Sequence, residues 1–377
     1  MIYKRILEDK IKSKLFKGQI IILYGPRQVG KTTLVKKIFN QFEGEKKYFQ
    51  GDIPSERAIF EVPEPAKIMP IIGKAKLIII DEAQLIQNIG VTLKVLFDTQ
   101  KDIQIITTGS SSFDLANKIR EPLTGRALEY MMYPLAFEEI KNEMGLMFLK
   151  QNFENLLNYG FYPKVLGENI EDAKTRLALL QNNTLYKDIF ALENIKKPKV
   201  LQDLVTFLAI NIGSMVKVGN IAREIKSTEK TIERYIDLLE KMFVIVKIYA
   251  YSNNLNNEIK KGFKIYFTDV GFRNSIINKF ADLELRLDKG QLFENFFVIE
   301  RIKYLNNNQI IKKKYFWQNY AQVEIDYLEE SDGFLEAFEC KFLARKTKSI
   351  NLFKNQYQKI IKKIHIVDKE NYSDFLG

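Results

Sequence analysis

The sequence predicts an α/β fold with a parallel sheet at its front, and three observations predict it. The apolar run Gln19–Leu23 leads directly into Gly25-Pro-Arg-Gln-Val-Gly-Lys-Thr32, a glycine-framed loop with the spacing G-x-x-x-x-G-K-[ST]. A second run, Lys76–Ile80, ends in Asp81-Glu82, and a third, Asp102–Thr108, ends in Gly109-Ser110. Continuous apolar strands bounded by charge or by polar turns belong to a parallel sheet covered on both faces. Such sheets hold ligands at the carboxyl ends of their strands, where the loop and the acids fall.

The chemistry of the loop explains its residue types. Gly25 and Gly30 let the backbone curl so that its N–H groups point at phosphate oxygens, and Pro26, Arg27, Gln28 and Val29 complete the cradle. Lys31 reaches the β- and γ-phosphates, the Thr32 hydroxyl sits on Mg²⁺, and Thr33 continues the amphipathic helix that adds its positive end. Asp81 holds the Mg²⁺ shell and Glu82 orients or activates the attacking water. The expected cofactors are therefore ATP and Mg²⁺.

Composition adds a second theme. The 377 residues suffice for two or three domains, and 58 Lys and Arg against 47 Asp and Glu give a net charge of +11. A basic balance of that size points to a polyanionic partner, nucleic acid, with DNA favoured over RNA, or to a lysine-rich solubilising surface. The lone cysteine, Cys340, and the lone histidine, His365, exclude an intramolecular disulfide, a cysteine zinc site and a His-pair mechanism; both read as packing residues. No apolar stretch approaches the ~18 residues of a membrane span, and Met1–Ile6 has no signal-peptide core, so the expected location is cytoplasmic, away from membranes.

The motifs GPRQVGKTTL, LIIIDEAQ, ITTGSSS and Leu123-Thr-Gly-Arg126, followed by Tyr133–Glu139, resemble those of AAA+ ATPases. The nearest likeness is to the archaeal and bacterial group with a further C-terminal region. The resemblance implies a γ-phosphate sensor at Ser110 or Thr108. It also implies an arginine finger at Arg126 or Arg120, acting in cis or, in a homo-oligomer, in trans. The core is expected over 1–140. Asn158–Pro163 resembles the turn that precedes a helical lid, expected over 141–198 with a helix at Lys174–Ile189.

The middle, 199–285, reads as three helices and a hairpin, a winged helix. Apolar positions mark helices at Val200–Ile212, Val218–Ile225 and Glu229–Glu240, and two alternating strands follow at Phe243–Tyr249 and Lys264–Phe267. As a nucleic-acid reader it would use Lys230, Thr231 and Arg234 at the start of its third helix, with Lys260 and Lys261 on the wing. Glu229, Glu233, Asp237 and Glu240 on the same helix favour a protein-binding or structural role instead.

The last segment, 286–377, has the order αβββαβ and looks like the PD-(D/E)xK nuclease superfamily. The resemblance rests on a helical Glu294, a strand Asp326, and Glu339-Cys-Lys341, whose alternation puts Glu339 and Lys341 on one face. It implies Glu294, Asp326 and Glu339 as Mg²⁺ ligands and Lys341 as the residue that prepares water. Two functions follow: an ATP-driven enzyme that acts on nucleic acid and cuts it, or a nucleotide-switched regulatory or assembly protein whose last domain is catalytically silent.

Overall fold

The computed structural model describes residues 3–110, 123–188, 195, 197–252, 262–343 and 348–377. The chain divides into two compact units, Met1–Leu135 with Lys241–Phe243, and Ala136–Glu240 with Val244–Gly377. Four modules were expected; the lid, the three-helix segment and the C-terminal segment instead form one unit, which begins at Ala136.

The first unit starts with α1 (Ile6–Ser13), β1 (Ile20–Tyr24) and α2 (Lys31–Gln41), followed by β2 (Lys46–Gln50), α3 (Pro54–Glu61) and α4 (Pro65–Ile72). Then come β3 (Leu77–Asp81), α5 (Ile89–Thr99), β4 (Gln104–Gly109) and β5 (Ala127–Met131). All five strands are parallel, in the order β2-β3-β4-β1-β5. The runs read as buried strands are buried at every position of β1, β3 and β4. The half-exposed strands β2 and β5 carry a weaker pattern that the sequence reading passed over. The order sets β4 between the loop strand and the acid strand, so three strand ends converge on one place.

The second unit holds α6 (Phe137–Gln151), α7 (Phe153–Tyr159), α8 (Ile170–Gln181), α9 (Pro198–Ile210) and the short β6 (Met215–Val216). It continues with α10 (Val218–Glu224), α11 (Glu229–Lys241), β7 (Ile245–Ala250), β8 (Phe263–Phe267) and α12 (Val270–Ile276). It closes with α13 (Lys289–Asn307), β9 (Lys313–Gln318), β10 (Glu324–Ser331), β11 (Phe334–Cys340), α14 (Lys348–Tyr357) and β12 (Ile361–Val367). The helix expected at Lys174–Ile189 begins earlier, at Ile170, because Asn169 caps it by accepting the Asp172 N–H at 3.0 Å, and past Gln181 it continues as a π-helix over Asn182–Asp188.

One mixed sheet runs through the unit in the order β12-β11-β10-β9-β7-β8-β6. The boundary expected at 285/286 is therefore a boundary in sequence only: β7 pairs in parallel with β9 through Tyr249–Tyr315 and Ala250–Phe316. Helix α13 is buried nearly all round, and its charged residues are paired. Lys303 meets Glu300 at 2.6 Å, and Arg301 grips Glu329 with two bonds of 2.7 and 3.0 Å.

The turn at Asn158–Pro163 is fixed by Asp269, which caps α12 by accepting the Phe272 N–H and also accepts the Phe161 N–H at 2.7 Å. Gly160, at φ +75°, leaves room for that carboxylate, since a Cβ there would lie 2.1 Å from its Oδ1. Gly271 in α12 packs directly on the Tyr159 carbonyl, and a Cβ would sit 2.0 Å from that oxygen. Gly271→Ala should therefore lower the unit's stability by about 2–4 kcal/mol, outweighing the ~1 kcal/mol gained in helix propensity. Chemical denaturation measures this, and unchanged stability would contradict the packing of α12 on α7.

Candidate functional site

At the carboxyl ends of β1, β3 and β4 the expected nucleotide residues come together. Gly25 must be glycine: Met132 donates its N–H to the Tyr24 carbonyl at 2.7 Å, and a Cβ on Gly25 would lie 2.0 Å from the Met132 oxygen. Pro26 and Val29 are buried, whereas Arg27, Gln28 and Thr33 are exposed. Gly30 enters α2 in the left-handed region at φ +100°. Arg5, buried under the loop, donates to the Val29 carbonyl at 2.6 Å and to the Tyr133 carbonyl at 2.7 Å. The sequence reading missed this brace, because its arginine lies outside any motif.

The Lys31 ammonium folds back on the loop, donating to the Gly25 and Pro26 carbonyls at 2.8 Å each. One residue on, Thr32 donates to Asp81 Oδ2 at 2.8 Å. The Asp81 carboxylate also accepts from the Thr108 hydroxyl on its other oxygen and from the Tyr48 hydroxyl of β2 at 2.6 Å. Burial and the neighbouring carboxylate hold the Tyr48 phenol well above its usual value, so it stays protonated and donates. Tyr48 escaped notice because it lies on β2, a strand the reading had passed over.

Glu82 takes a left-handed backbone, φ +51°, and its N–H donates to the Thr108 hydroxyl at 3.1 Å. Its carboxylate accepts from the Gln84 amide at 2.5 Å, and the same amide nitrogen donates to Ser110 at 3.1 Å. Of the two sensor candidates, Thr108 thus touches Asp81 and the Glu82 backbone, while Ser110 reaches Glu82 through Gln84. The donor set fits Mg²⁺, because a hydroxyl and a carboxylate already lie within hydrogen-bonding distance at the mouth of the loop. A bound Mg²⁺ would neutralise charge on the β- and γ-phosphates.

Arg126 lies elsewhere. It precedes β5, and its carbonyl accepts from Ile20 at the start of β1, so it sits at the opposite end of the strands from the loop. A five-residue strand separates the two by roughly 16 Å, and the guanidinium is paired with Asp98 at 2.9 Å. A finger acting on this chain's own nucleotide is therefore excluded for Arg126. Arg120 lies outside the described residues.

The C-terminal constellation forms a second cluster. Glu294, Glu324, Asp326 and Lys341 line a cavity of about 710 Å³, with Glu339 buried beside it. Lys341 pairs with Glu339 at 2.9 Å, on the shared strand face that alternation predicts. Asp326 accepts the Cys340 N–H at 2.8 Å, and Glu339 accepts from Ser349 at 3.1 Å. A residue outside the expected set occupies the centre: Lys264 of β8, with no exposed surface. Its ammonium lies 3.1 Å from Glu294, 3.3 Å from Glu324 and 3.7 Å from Asp326. Tyr266 of the same strand donates to Glu294 at 2.6 Å.

The expected ligands Glu294, Asp326 and Glu339 thus lie together with Lys341, and Lys264 adds a cation that the expected set does not contain. Among the described residues no group of three or more acidic, histidine or cysteine side chains is arranged to hold a metal ion. Glu294 and Asp326 are engaged by Lys264, Tyr266 and the Cys340 N–H, and Glu339 accepts from Lys341 and Ser349 on one oxygen, while among the described residues no hydrogen bond reaches its buried Oε2. Lys264 stands in a strand that reads as alternating, and the pattern does not reveal that its side chain points inward.

Of the expected nucleic-acid residues, Lys230 and Arg234 are exposed on α11 and Thr231 is half-buried against Thr228, 2.8 Å away. Lys260 and Lys261 lie outside the described residues. Cys340 is buried, and His365 stacks on Phe338 and bonds Glu336 at 3.0 Å, so neither enters a reactive site. No helix among the described residues is long and apolar enough to cross a membrane.

Residues 17–141 match the family described as AAA domain, and with the loop geometry this supports an AAA-type ATPase architecture for that part of the chain. Residues 150–283 match Domain of unknown function (DUF8612), and 289–375 match Domain of unknown function (DUF4143). An uncharacterized protein of Haemophilus influenzae is 26% identical, covering 79% of this chain and 71% of the relative. An uncharacterized protein of Methanocaldococcus jannaschii is also 26% identical, covering 86% and 75%. Among solved structures, a signal transduction ATPase with numerous domains from Pyrococcus horikoshii shares 13% identity over 81% of this chain and 47% of its own, at a TM-score of 0.29. A score that low carries no argument about this chain.

Burial and the Asp326 charge hold protons on this second cluster. Burial raises Glu294 to about 8, against attraction from Lys264, and burial raises Glu339 to about 7 with Asp326 adding to the rise. A carboxyl raised on folding binds its proton more tightly in the folded state, so its stabilising contribution is lost as pH rises from about 4.5 through about 8. Glu294→Gln, always neutral, should lose less stability than the parent over that window. Thermal melts of both proteins from acidic to mildly alkaline pH test this; parallel curves would refute the raised Glu294.

Proposed function

We propose that this chain is a Mg²⁺-dependent ATPase whose nucleotide state switches what the protein holds, and that its C-terminal carboxylate cluster is catalytically silent. The observation that supports it best is the Asp81 carboxylate, which joins the loop threonine, the sensor-strand threonine and the β2 tyrosine at one point. ATP·Mg²⁺ entering there draws on Lys31 for the phosphates and on Thr32 and Asp81 for the metal. Glu82, two bonds from Ser110 through Gln84, is placed to respond to the γ-phosphate and to orient water. A finger supplied in trans by Arg126 of a neighbouring copy belongs to the same reading.

Lys31→Ala should abolish ATP hydrolysis, because the phosphates lose the loop's cation. Glu82→Gln should keep nucleotide binding while turnover falls by two orders of magnitude or more, roughly the share of a general base. Phosphate release and fluorescent-nucleotide titration separate the two effects. Parental turnover in the Lys31 variant would sink the assignment of this loop.

A second reading, contact with nucleic acid through a winged helix, is favoured by one observation. The helix–strand–helix–helix–hairpin order of 198–267 suits such a module, and one cation offsets part of the charge of the four acids on α11. Lys247 is shared between Asp237 at 2.7 Å and Glu240 at 2.8 Å near the C-terminal end of α11, while Glu229 and Glu233 stand beside Lys230 and Arg234 at its start. Binding to duplex DNA should weaken steeply with salt. The double variant Lys230→Gln, Arg234→Gln should shallow the log–log slope by about 1 to 2. Fluorescence anisotropy across a salt series measures this, and absence of binding at low salt would remove the second reading.

A further inference from the structure

The fold resemblance of the C-terminal segment implies a divalent metal, and the structure disagrees with that implication in a specific way. Three carboxylates from three elements converge on one point: Glu294 from α13, and Glu324 and Asp326 from β10. Their oxygens lie 3.1, 3.3 and 3.7 Å from a single nitrogen, the Nζ of Lys264. That nitrogen comes from β8, which lies outside the αβββαβ set and reaches the cluster only because β7 bridges the hairpin to β9.

The placement is costly unless it is compensated. An ammonium with no exposed surface, on a strand of the sheet, would lose several kcal/mol of hydration and would shed its proton without close anions. Here the surrounding carboxylates hold it charged, well above its usual value, against the desolvation that favours the neutral amine. Conversely, any two of these carboxyl groups ionised together would repel one another without a cation between them, which adds to the burial that raises Glu294. Among the described residues the charged groups paired with the ammonium are the acids Glu294, Glu324 and Asp326, while the other cation of the cluster, Lys341, is engaged with Glu339.

We infer that Lys264 is the resident cation of this carboxylate cluster, a covalently tethered ammonium that engages two of the three expected metal ligands, Glu294 and Asp326. The site therefore takes no Mg²⁺ or Mn²⁺ in the native protein. The inference stands independently of the ATPase reading, since all four side chains belong to the second unit.

The test uses Mn²⁺ as the probe, with electron paramagnetic resonance to count bound ions in nucleotide-free full-length protein and thermal melts as a second readout. The parent and Asp326→Asn should bind the same amount of Mn²⁺, and Mn²⁺ should leave the melting temperature of the parent unchanged. Lys264→Met removes the ammonium at similar volume and leaves the anions uncompensated. It should lose stability, gain about one Mn²⁺ per chain, and recover several degrees when Mn²⁺ is added. Asp326→Asn in that background should remove the gain. Binding by the parent that Asp326→Asn abolishes would overturn the inference, and so would a folded Lys264→Met that gains no Mn²⁺. Should Lys264→Met fail to fold, the comparison of the parent with Asp326→Asn decides alone.

Discussion

The Asp81 carboxylate is the interaction on which the nucleotide site depends. It stands at the end of β3, and three hydroxyls from three different elements donate to it: Thr32 at the start of α2, Thr108 near the end of β4, and Tyr48 on β2. Two parallel strands beside β3 and one helix start are therefore aligned through one side chain. The strand order makes this possible, since β4 lies between β1 and β3 and brings its threonine within reach of the acid. Thr108, which donates to Asp81, also receives the Glu82 N–H on the same oxygen, so Thr32, Asp81, Thr108 and Glu82 form one hydrogen-bonded chain. The left-handed backbone at Glu82 turns its carboxylate away from the strand and toward Gln84.

The second unit follows a different economy. Its interior holds several ion pairs, and each ties together elements distant in sequence or in the sheet: Arg301 to Glu329, Lys312 to Glu329 and Glu336, and Lys264 to α13 and β10. Buried pairs of this kind contribute little net stability against an apolar replacement, yet breaking one leaves a charge stranded. They act as register pins. In Lys264 the pin crosses from the hairpin to the C-terminal segment, along the same seam where β7 and β9 pair. Two stretches that match separate family descriptions thus share one sheet and one charge cluster.

The sequence alone determined most of the first unit. Apolar runs of five residues make central strands wherever both faces are covered, and the loop spacing demands glycine at fixed places, so β1, β3, β4 and the phosphate cradle were legible. The amphipathic helices α9 and α11 were equally plain, because Leu201, Leu204, Val205 and Leu208, and Ile232, Tyr235, Ile236 and Leu239, recur at helical spacing and are buried as that spacing requires. The E-x-K alternation correctly put Glu339 and Lys341 on one face. These are local properties, fixed by periods of two and 3.6 residues along the chain.

What only the tertiary structure decided concerns meetings between distant segments. Tyr48 reaches Asp81 because β2 is the neighbour of β3, and a half-exposed strand gives no signal of its own in the sequence. Arg126 follows its motif as the resemblance requires, yet the chain direction of β5 carries it to the far end of the sheet, where it meets Asp98. Lys264 sits in an alternating strand whose pattern specifies which positions share a face. Which face turns inward, and which acids wait there, depends on β7 pairing with β9 across a long stretch of chain. A sequence encodes the periodicity of each element directly. The partners of a buried charge are encoded only through the packing of the whole unit, because desolvation and Coulomb attraction depend on distances in space.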